Sequence, residues 1–94
     1  MPVLHINCVI KTNHQNPAEQ IKGVGGISDG QQWKLSQAEV IRQIESSENQ
    51  FRMAVNGHKA LVIVSTVDGK KYIRTEEDRV GENKILLLPE CSKN

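Results

Sequence analysis

Two turn dipeptides, Asn56-Gly57 and Asp68-Gly69, constrain the fold of this chain more than any other feature of its sequence. Both are favoured in two-residue type I′ β-hairpins, which need a positive φ at both turn positions. The segments on either side alternate between apolar and polar residues, as half-buried strands do. The pattern therefore predicts that residues 51–75 form a three-strand antiparallel meander.

The turns also set the register of the meander, because Val55 must pair with His58 and Val67 with Lys70. The side chains then divide between two faces. One predicted face is nearly all apolar, and we expect a helix to cover it: Phe51, Met53, Val55, Ala60, Val62, Val64 and Ile73. The other predicted face has an apolar centre and basic flanks: Arg52, Ala54, Lys59, Leu61, Ile63, Ser65, Tyr72 and Arg74.

The helix has its own local signal. Ser36-Gln-Ala-Glu39 matches a capping box, in which the Ser36 hydroxyl accepts from the Glu39 N–H and the Glu39 carboxylate reaches back to the Ser36 N–H. An apolar stripe follows at helical spacing, formed by Val40, Ile41 and Ile44. The pattern predicts a helix of about three turns that ends near residues 46–48.

Three further segments complete the predicted fold. Val3–Lys11 alternates as a strand does, with Leu4, Ile6, Cys8 and Ile10 sharing one face. Ile21–Val24 is a candidate short strand, and the glycines at 23, 25, 26 and 30 predict a turn-rich stretch. Ile85–Leu88 is apolar at four consecutive positions and predicts a terminal strand buried on both sides.

Together these segments predict an α+β fold. One helix packs on a mainly antiparallel sheet of five to six strands, in the order β-β-α-β-β-β-β. A chain of 94 residues is long enough for one hydrophobic core, so residues 1–94 are predicted to form a single domain.

The sequence from about residue 21 to residue 91 resembles a small bacterial family, the domain of unknown function 3892. The resemblance rests on a glycine-containing stretch before a tryptophan, a helix of the form Ala-x-x-x-Ile-x-x-Ile-Glu, a Gly-x-Lys-Tyr-Ile-x-Thr run, and a leucine run closed by Pro-x-Cys: Gly23–Trp33, Ala38–Glu45, Gly69–Thr75 and Leu86–Cys91. Ser47 departs from the pattern, since a glycine is expected to end the helix there. The resemblance implies a single-domain bacterial protein without an established activity, cofactor or catalytic residue.

The cysteines and histidines do not predict a metal or catalytic site. His5-x-x-Cys8 has the spacing of metal ligands, but on a strand the two side chains point to opposite faces. His14, His58 and Cys91 are distant in the sequence. The first eleven residues do not resemble a secretion signal, so we expect free thiols and a cytoplasmic protein. No cofactor is predicted.

Charge is unevenly distributed along the chain. Residues 51–75 carry five basic side chains and one acidic, whereas the remaining residues carry seven basic and ten acidic. The candidate binding face comprises Arg52, Lys59, Leu61, Ile63, Lys70, Lys71, Tyr72 and Arg74. The longest purely apolar run, Ala60–Val64, is too short to span a bilayer, so no membrane partner is expected.

Three functions are compatible with this face. The leading hypothesis is a non-enzymatic protein-interaction module, whose partner is a second copy or another protein. The first alternative is a nucleic-acid-binding module, in which the basic flank holds phosphates and Tyr72 stacks on a base. The second is a small enzyme or metal protein, for which no convergent site can be named. Trp33 is interpreted as a core residue in preference to a binding anchor.

Overall fold

The computed structural model describes residues 2–13, 15–79 and 81–91. Its helix and strands, in chain order, are β1 (Val3–Lys11), β2 (Ile21–Ser28), β3 (Gln31–Ser36), α1 (Gln37–Glu45), β4 (Gln50–Val55), β5 (His58–Val67) and β6 (Lys70–Thr75). Two 3₁₀ turns, Pro17–Glu19 and Lys84–Leu87, lie in the connections. The predicted class, one helix on a mainly antiparallel sheet, is confirmed.

The six strands form one sheet in the order β3-β2-β1-β4-β5-β6. All neighbouring strands are antiparallel except β1 and β4, which pair in parallel through Val3–His5. A parallel pair needs a long connection, and β2, β3 and α1 supply it. Consecutive hairpins therefore build the two halves of the sheet, and the parallel pair joins them.

The register predicted for the meander is confirmed. Val55 pairs with His58 and Val67 with Lys70. All four turn residues have positive φ, as type I′ turns require: Asn56 at 48°, Gly57 at 87°, Asp68 at 51° and Gly69 at 76°. A third dipeptide of the same kind, Asp29-Gly30, joins β2 to β3 with φ of 50° and 78°.

Gly23, Gly25 and Gly26, predicted as turns, are instead part of strand β2, whereas Gly30 lies in a turn as predicted. A Cβ atom at Gly23 would lie 2.6 Å from the carbonyl oxygen of Leu35 on β3, and one at Gly26 would collide with the carbonyl oxygen of His5 on β1. Neighbouring backbones approach too closely for side chains there. These glycines therefore permit close strand packing.

Strand β1 also differs from the predicted alternation. Register shifts interrupt its pairing with β2 between Ile6 and Cys8 and again after Ile10. As a result, Ile6 and Val9 both enter the hydrophobic core although they are three residues apart. A bulge inserts an extra residue and thereby changes which side chains share a face.

Helix α1 begins and ends as its sequence indicates. The Ser36 hydroxyl accepts a hydrogen bond from the Glu39 N–H at 3.1 Å. The Glu39 carboxylate accepts hydrogen bonds from the Arg42 and Gln43 side chains. The capping box had predicted that it would accept one from the Ser36 N–H instead. The Arg42 guanidinium and then the Gln43 amide hold the pKa of Glu39 at about 2.

The helix ends in a left-handed residue, Ser47, with a φ of 61°. Its N–H donates to Ile44 O at 3.1 Å, and the Glu48 N–H donates to Gln43 O at 3.0 Å. This is the Schellman arrangement, in which glycine is the usual left-handed residue. Ser47 therefore carries out the conformational role that the family resemblance assigns to glycine.

The core lies between α1 and the apolar face of the sheet, called here the inner face. Its fully buried large side chains include Phe51, Val62 and Ile73 from the meander and Val40 from the helix. The outward edge of β6 is also covered, because Gln37 accepts from the Ile73 N–H at 3.1 Å and Asn83 donates to Ile73 O at 2.9 Å. Covering this edge protects it from pairing with other chains.

The segment predicted as a terminal strand is a 3₁₀ turn. Ile85 is fully buried, but Leu87 is 83% exposed, so the segment is not buried on both sides. Asn83 accepts from the Ile85 N–H at 3.1 Å and thereby caps the turn. Successive residues of a 3₁₀ turn point in different directions, which explains why neighbouring leucines differ in burial.

The expectation of free thiols is wrong for this structure. Cys8 and Cys91 form a disulfide, with their Cα atoms 4.8 Å apart. Residues 89–91 run parallel to β1: the Val9 N–H donates to Pro89 O at 2.9 Å, and the Cys91 N–H donates to Val9 O at 3.0 Å. The pairing is a tertiary contact between residues 83 positions apart, which sequence spacing does not reveal.

Candidate interaction face

The face of β4, β5 and β6 that points away from the core is called here the outer face. Cross-strand pairing places Arg52 opposite Leu61, and Ile63 opposite Arg74. Residues directly opposite each other in a sheet share a face. Seven of the eight predicted binding residues lie on this face: Arg52, Lys59, Leu61, Ile63, Lys70, Tyr72 and Arg74.

Two of the predicted residues, Lys70 and Lys71, are held by carboxylates of the same chain. Lys71 pairs with Thr66, and both side chains point to the inner face, opposite to Tyr72. The Lys71 Nζ lies 2.8 Å from Glu45 Oε2. Lys70 stands at the turn, with its Nζ 2.8 Å from Glu19 Oε1. Lys71 therefore does not lie on the outer face, and the charge of Lys70 is already compensated by Glu19.

The remaining basic groups of the outer face bind backbone or each other. Arg52 Nη1 donates to Lys59 O at 3.3 Å, and Arg74 Nη1 donates to Thr75 O at 3.0 Å. Lys59 Nζ lies 3.4 Å from His5 Nδ1. Within residues 2–13, 15–79 and 81–91, Arg52, Lys59 and Arg74 form no ion pair with a carboxylate.

His5 belongs to this surface although the sequence did not place it there. It pairs with Arg52 across the parallel β1–β4 contact and is exposed. Turn dipeptides reveal which strands form hairpins, but they carry no information on pairing between distant strands. The alternation of β1 only indicates that His5 is on the polar side of its own strand.

The apolar centre of the outer face consists of Leu61 and Ile63, which are both half-buried. A cavity of about 230 Å³ opens beside them, lined mainly by β5 residues and by the segment that follows α1. It exists because β5 has ten residues and β4 only six. Strand β5 therefore runs past the start of β4, and on that side its apolar residues have no strand neighbour, although β6 pairs with them on the other side.

The tryptophan, the cysteines and His58 have partners within the chain. Trp33 packs against Phe51 with ring centroids 6.0 Å apart, which confirms its interpretation as a core residue. Cys8 is in the disulfide, His58 contacts the Glu77 carboxylate, and His14 lies outside the described residues. Across the described part of the chain, no three His, Cys, Asp or Glu side chains are arranged to hold a metal ion.

Among the described residues, no helix has the length and apolar character needed to cross a bilayer.

Comparison with known proteins gives a family and no activity. No curated protein matches the chain, and no solved structure matches it. A family model described as a protein of unknown function, DUF3892, matches residues 5–89. The match includes every strand of the meander, the whole of α1 and the outer face from His5 to Arg74, and it ends two residues before Cys91. The chain therefore belongs to the DUF3892 family of proteins of unknown function.

Proposed function

We propose that this chain is a non-enzymatic protein-interaction module and that its outer face binds a protein partner. One observation carries the proposal: half-buried Leu61 and Ile63 are surrounded by basic side chains that have no carboxylate partner within the described residues. Two further basic groups of the meander, Lys70 and Lys71, do have such partners. Among the basic side chains of the meander, those without a carboxylate partner within the described residues are thus the ones beside the open apolar surface.

This arrangement defines the chemistry of the partner. Protein interfaces combine an apolar centre, which supplies most of the affinity, with a polar rim that governs association rate and orientation. Here the rim is positive, through Arg52, Lys59 and Arg74. The complementary surface has apolar side chains at its centre and Asp or Glu around them.

A protein fits this face better than a nucleic acid does. Single-stranded nucleic acid is usually bound by several aromatic side chains along a positive groove, and Tyr72 is the one aromatic residue of the outer face within the described residues. The two aliphatic side chains at the centre, Leu61 and Ile63, gain free energy by contact with apolar groups, which a phosphate backbone does not offer. Nucleic-acid binding therefore remains the alternative that the experiment must test.

The experiment compares three tagged variants with the wild type in pull-downs from nuclease-treated native lysate. Ile63→Asn removes apolar contact, and Arg52→Glu with Lys59→Glu reverses the rim charge. Lys11→Glu with Lys22→Glu is the matched charge control, because both lysines are exposed in the β1–β2 half of the sheet. A thermal melt of each variant establishes that it is folded.

We expect Ile63→Asn to release the partner and the rim reversal to weaken binding mainly at low salt. The Lys11/Lys22 variant is expected to bind as the wild type does. Purified wild type titrated with single-stranded oligonucleotides tests the alternative. Tight binding whose log affinity falls with log salt by about 0.7 per contacted phosphate, and which is lost in the rim variant, would replace the proposal.

A bacterial cytoplasmic location belongs to the same proposal. Disulfides are rare in that compartment, and those that form there are usually transient. The Cys8–Cys91 bond would then open and close during the life of the protein. Alkylation of thiols in intact cells, followed by mass spectrometry of both cysteine peptides, tests the location: a fully oxidised population would contradict it.

A further inference from the structure

The disulfide joins two cysteines that differ in accessibility. Cys8 is 7% exposed, whereas Cys91 is only half-buried. Strand β2 covers one side of the bond, since a Cβ atom at Gly25 would lie 3.0 Å from Cys8 Sγ and 3.2 Å from Cys91 Sγ. Thiol–disulfide exchange depends on which sulfur an incoming thiolate can reach. The geometry favours attack on Cys91.

Residues 89–91, called here the strap, are held to β1 by little besides this bond. The strap makes two backbone hydrogen bonds with Val9, and Pro89 and Glu90 are both exposed. No large apolar side chain of the strap is buried. A segment with so few buried contacts is at the low-stability end of a structure and opens locally once a covalent constraint is removed.

The chain before the strap is anchored independently of the disulfide. Ile85 is fully buried in the core, and Asn83 binds both the Ile85 N–H and Ile73 O. The Leu88 N–H donates to Ile85 O at 3.2 Å. Opening of the disulfide is therefore expected to free the strap and to stop at Leu88.

We propose that Cys8–Cys91 is a site of reversible thiol–disulfide exchange with a protein dithiol, and that its reduction releases the strap from β1. A thiolate of the dithiol attacks Cys91 Sγ. The S–S bond breaks, and its electron pair passes to Cys8 Sγ, which takes a proton. The second thiol of the dithiol, after losing its proton, attacks the mixed disulfide, so Cys91 leaves as a thiolate and is protonated. Two electrons reduce this chain, and the dithiol becomes a disulfide.

Reduction also changes the edge of β1. Val9 is completely buried, and its N–H and C=O both pair with the strap. When the strap leaves, these two groups lose their protein partners, and water must replace them because unpaired backbone is costly. The oxidised protein thus has a closed edge at Val9, and the reduced protein has an open one.

The first experiment measures ¹⁵N relaxation of the full chain, oxidised and after reduction with dithiothreitol. We expect order parameters at Glu90 and Cys91 to fall from about 0.85 to below about 0.6, while those at Ile73 and Ile85 stay near 0.85. Cys91→Ser should reproduce the reduced spectrum and be insensitive to dithiothreitol. If that variant does not fold, the comparison of oxidised and reduced wild type still tests whether the strap is released.

Two results would overturn the proposal. If Glu90 and Cys91 stay ordered after reduction, the strap does not depend on the bond. If order and signal dispersion are lost across the whole chain, the disulfide is a global structural clamp and releases no separate segment.

The second experiment identifies the attacked sulfur. The probe is a thioredoxin-fold dithiol protein whose second cysteine has been replaced by serine, so that a mixed disulfide accumulates. Peptide mapping is expected to find the adduct on Cys91. An adduct on Cys8, or no adduct while dithiothreitol reduces the bond readily, would refute exchange with a protein dithiol at Cys91.

Discussion

Loss of the Cys8–Cys91 disulfide is expected to lower the stability of the folded chain substantially. The bond joins residues 83 positions apart, so it restricts nearly the whole unfolded chain. In the chain-entropy treatment, a loop of that length corresponds to about 4.5 kcal/mol at 25 °C. Measured values for native disulfides in small domains are commonly about 2–5 kcal/mol.

The structure indicates that the loss of unfolding free energy on reduction will be smaller than the chain-entropy value. The bond holds a strap with two backbone hydrogen bonds and little apolar burial. Reduction therefore gives the native state additional freedom at residues 89–91, which offsets part of the entropy gained by the unfolded chain. We expect a loss of about 2–4 kcal/mol, which corresponds to a decrease in Tm of roughly 10–25 °C for a domain of this size.

Urea unfolding of the oxidised and reduced wild type, followed by circular dichroism and Trp33 fluorescence, measures this difference. The control for dithiothreitol itself is the double variant Cys8→Ala/Cys91→Ala, which has no disulfide to reduce. Its urea unfolding transition should not change when dithiothreitol is added. The reasoning is refuted if oxidised and reduced protein unfold with free energies within about 0.5 kcal/mol of each other, since the bond would then constrain neither state appreciably.

Four further substitutions test the local structure. Ser47→Gly should stabilise the chain by about 0.5–1 kcal/mol, because glycine adopts positive φ without strain; Ser46→Gly, at a φ of −89°, should not, and equal effects of the two would contradict the C-cap assignment. Gly57→Val places a β-branched residue at a φ of 87° and should cost more than ~1 kcal/mol in chemical unfolding; an unchanged midpoint would argue against the type I′ turn. Ile85→Ala should cost ~2–5 kcal/mol because the side chain is fully buried, and a smaller loss would place the 3₁₀ turn outside the core. The pKa of Glu39 is depressed to about 2, so its carboxylate contributes stability above its unfolded pKa that is lost as pH falls through the folded value; between pH 4.5 and 2 the wild type should lose more stability than Glu39→Gln, and parallel curves would exclude this contribution.

Local chemistry was sufficient to predict the meander and the helix. Asn56-Gly57 and Asp68-Gly69 determine both register and facing, because a two-residue type I′ turn leaves one way to pair the flanking strands. Ser36 likewise marks the start of α1. The third hairpin carried the same signal, Asp29-Gly30, but neighbouring glycines obscured it. Those glycines allow neighbouring strands to approach closely, and a local pattern does not show which strands will be neighbours.

The outer face was predicted in part for the same reason. Residues of the meander could be sorted from their register alone, and seven of eight candidates do share the outer face. Lys71 and His5 show where this reasoning ends. The partner of Lys71 is Glu45 on the helix, and that of His5 is Lys59, reached through the parallel pairing of β1 with β4. Both contacts arise from the packing of whole elements.

The sequence by itself determined the elements whose geometry depends on a few adjacent residues: the hairpins of the meander, the capped helix and the apolar face between them. Tertiary structure alone decided the parallel β1–β4 pair, the 3₁₀ turn at Lys84–Leu87 and the disulfide of Cys8 with Cys91. Turn and cap preferences are short-range interactions within about four residues. Contacts between distant segments depend instead on how the complete core closes, and no local pattern encodes which segments meet.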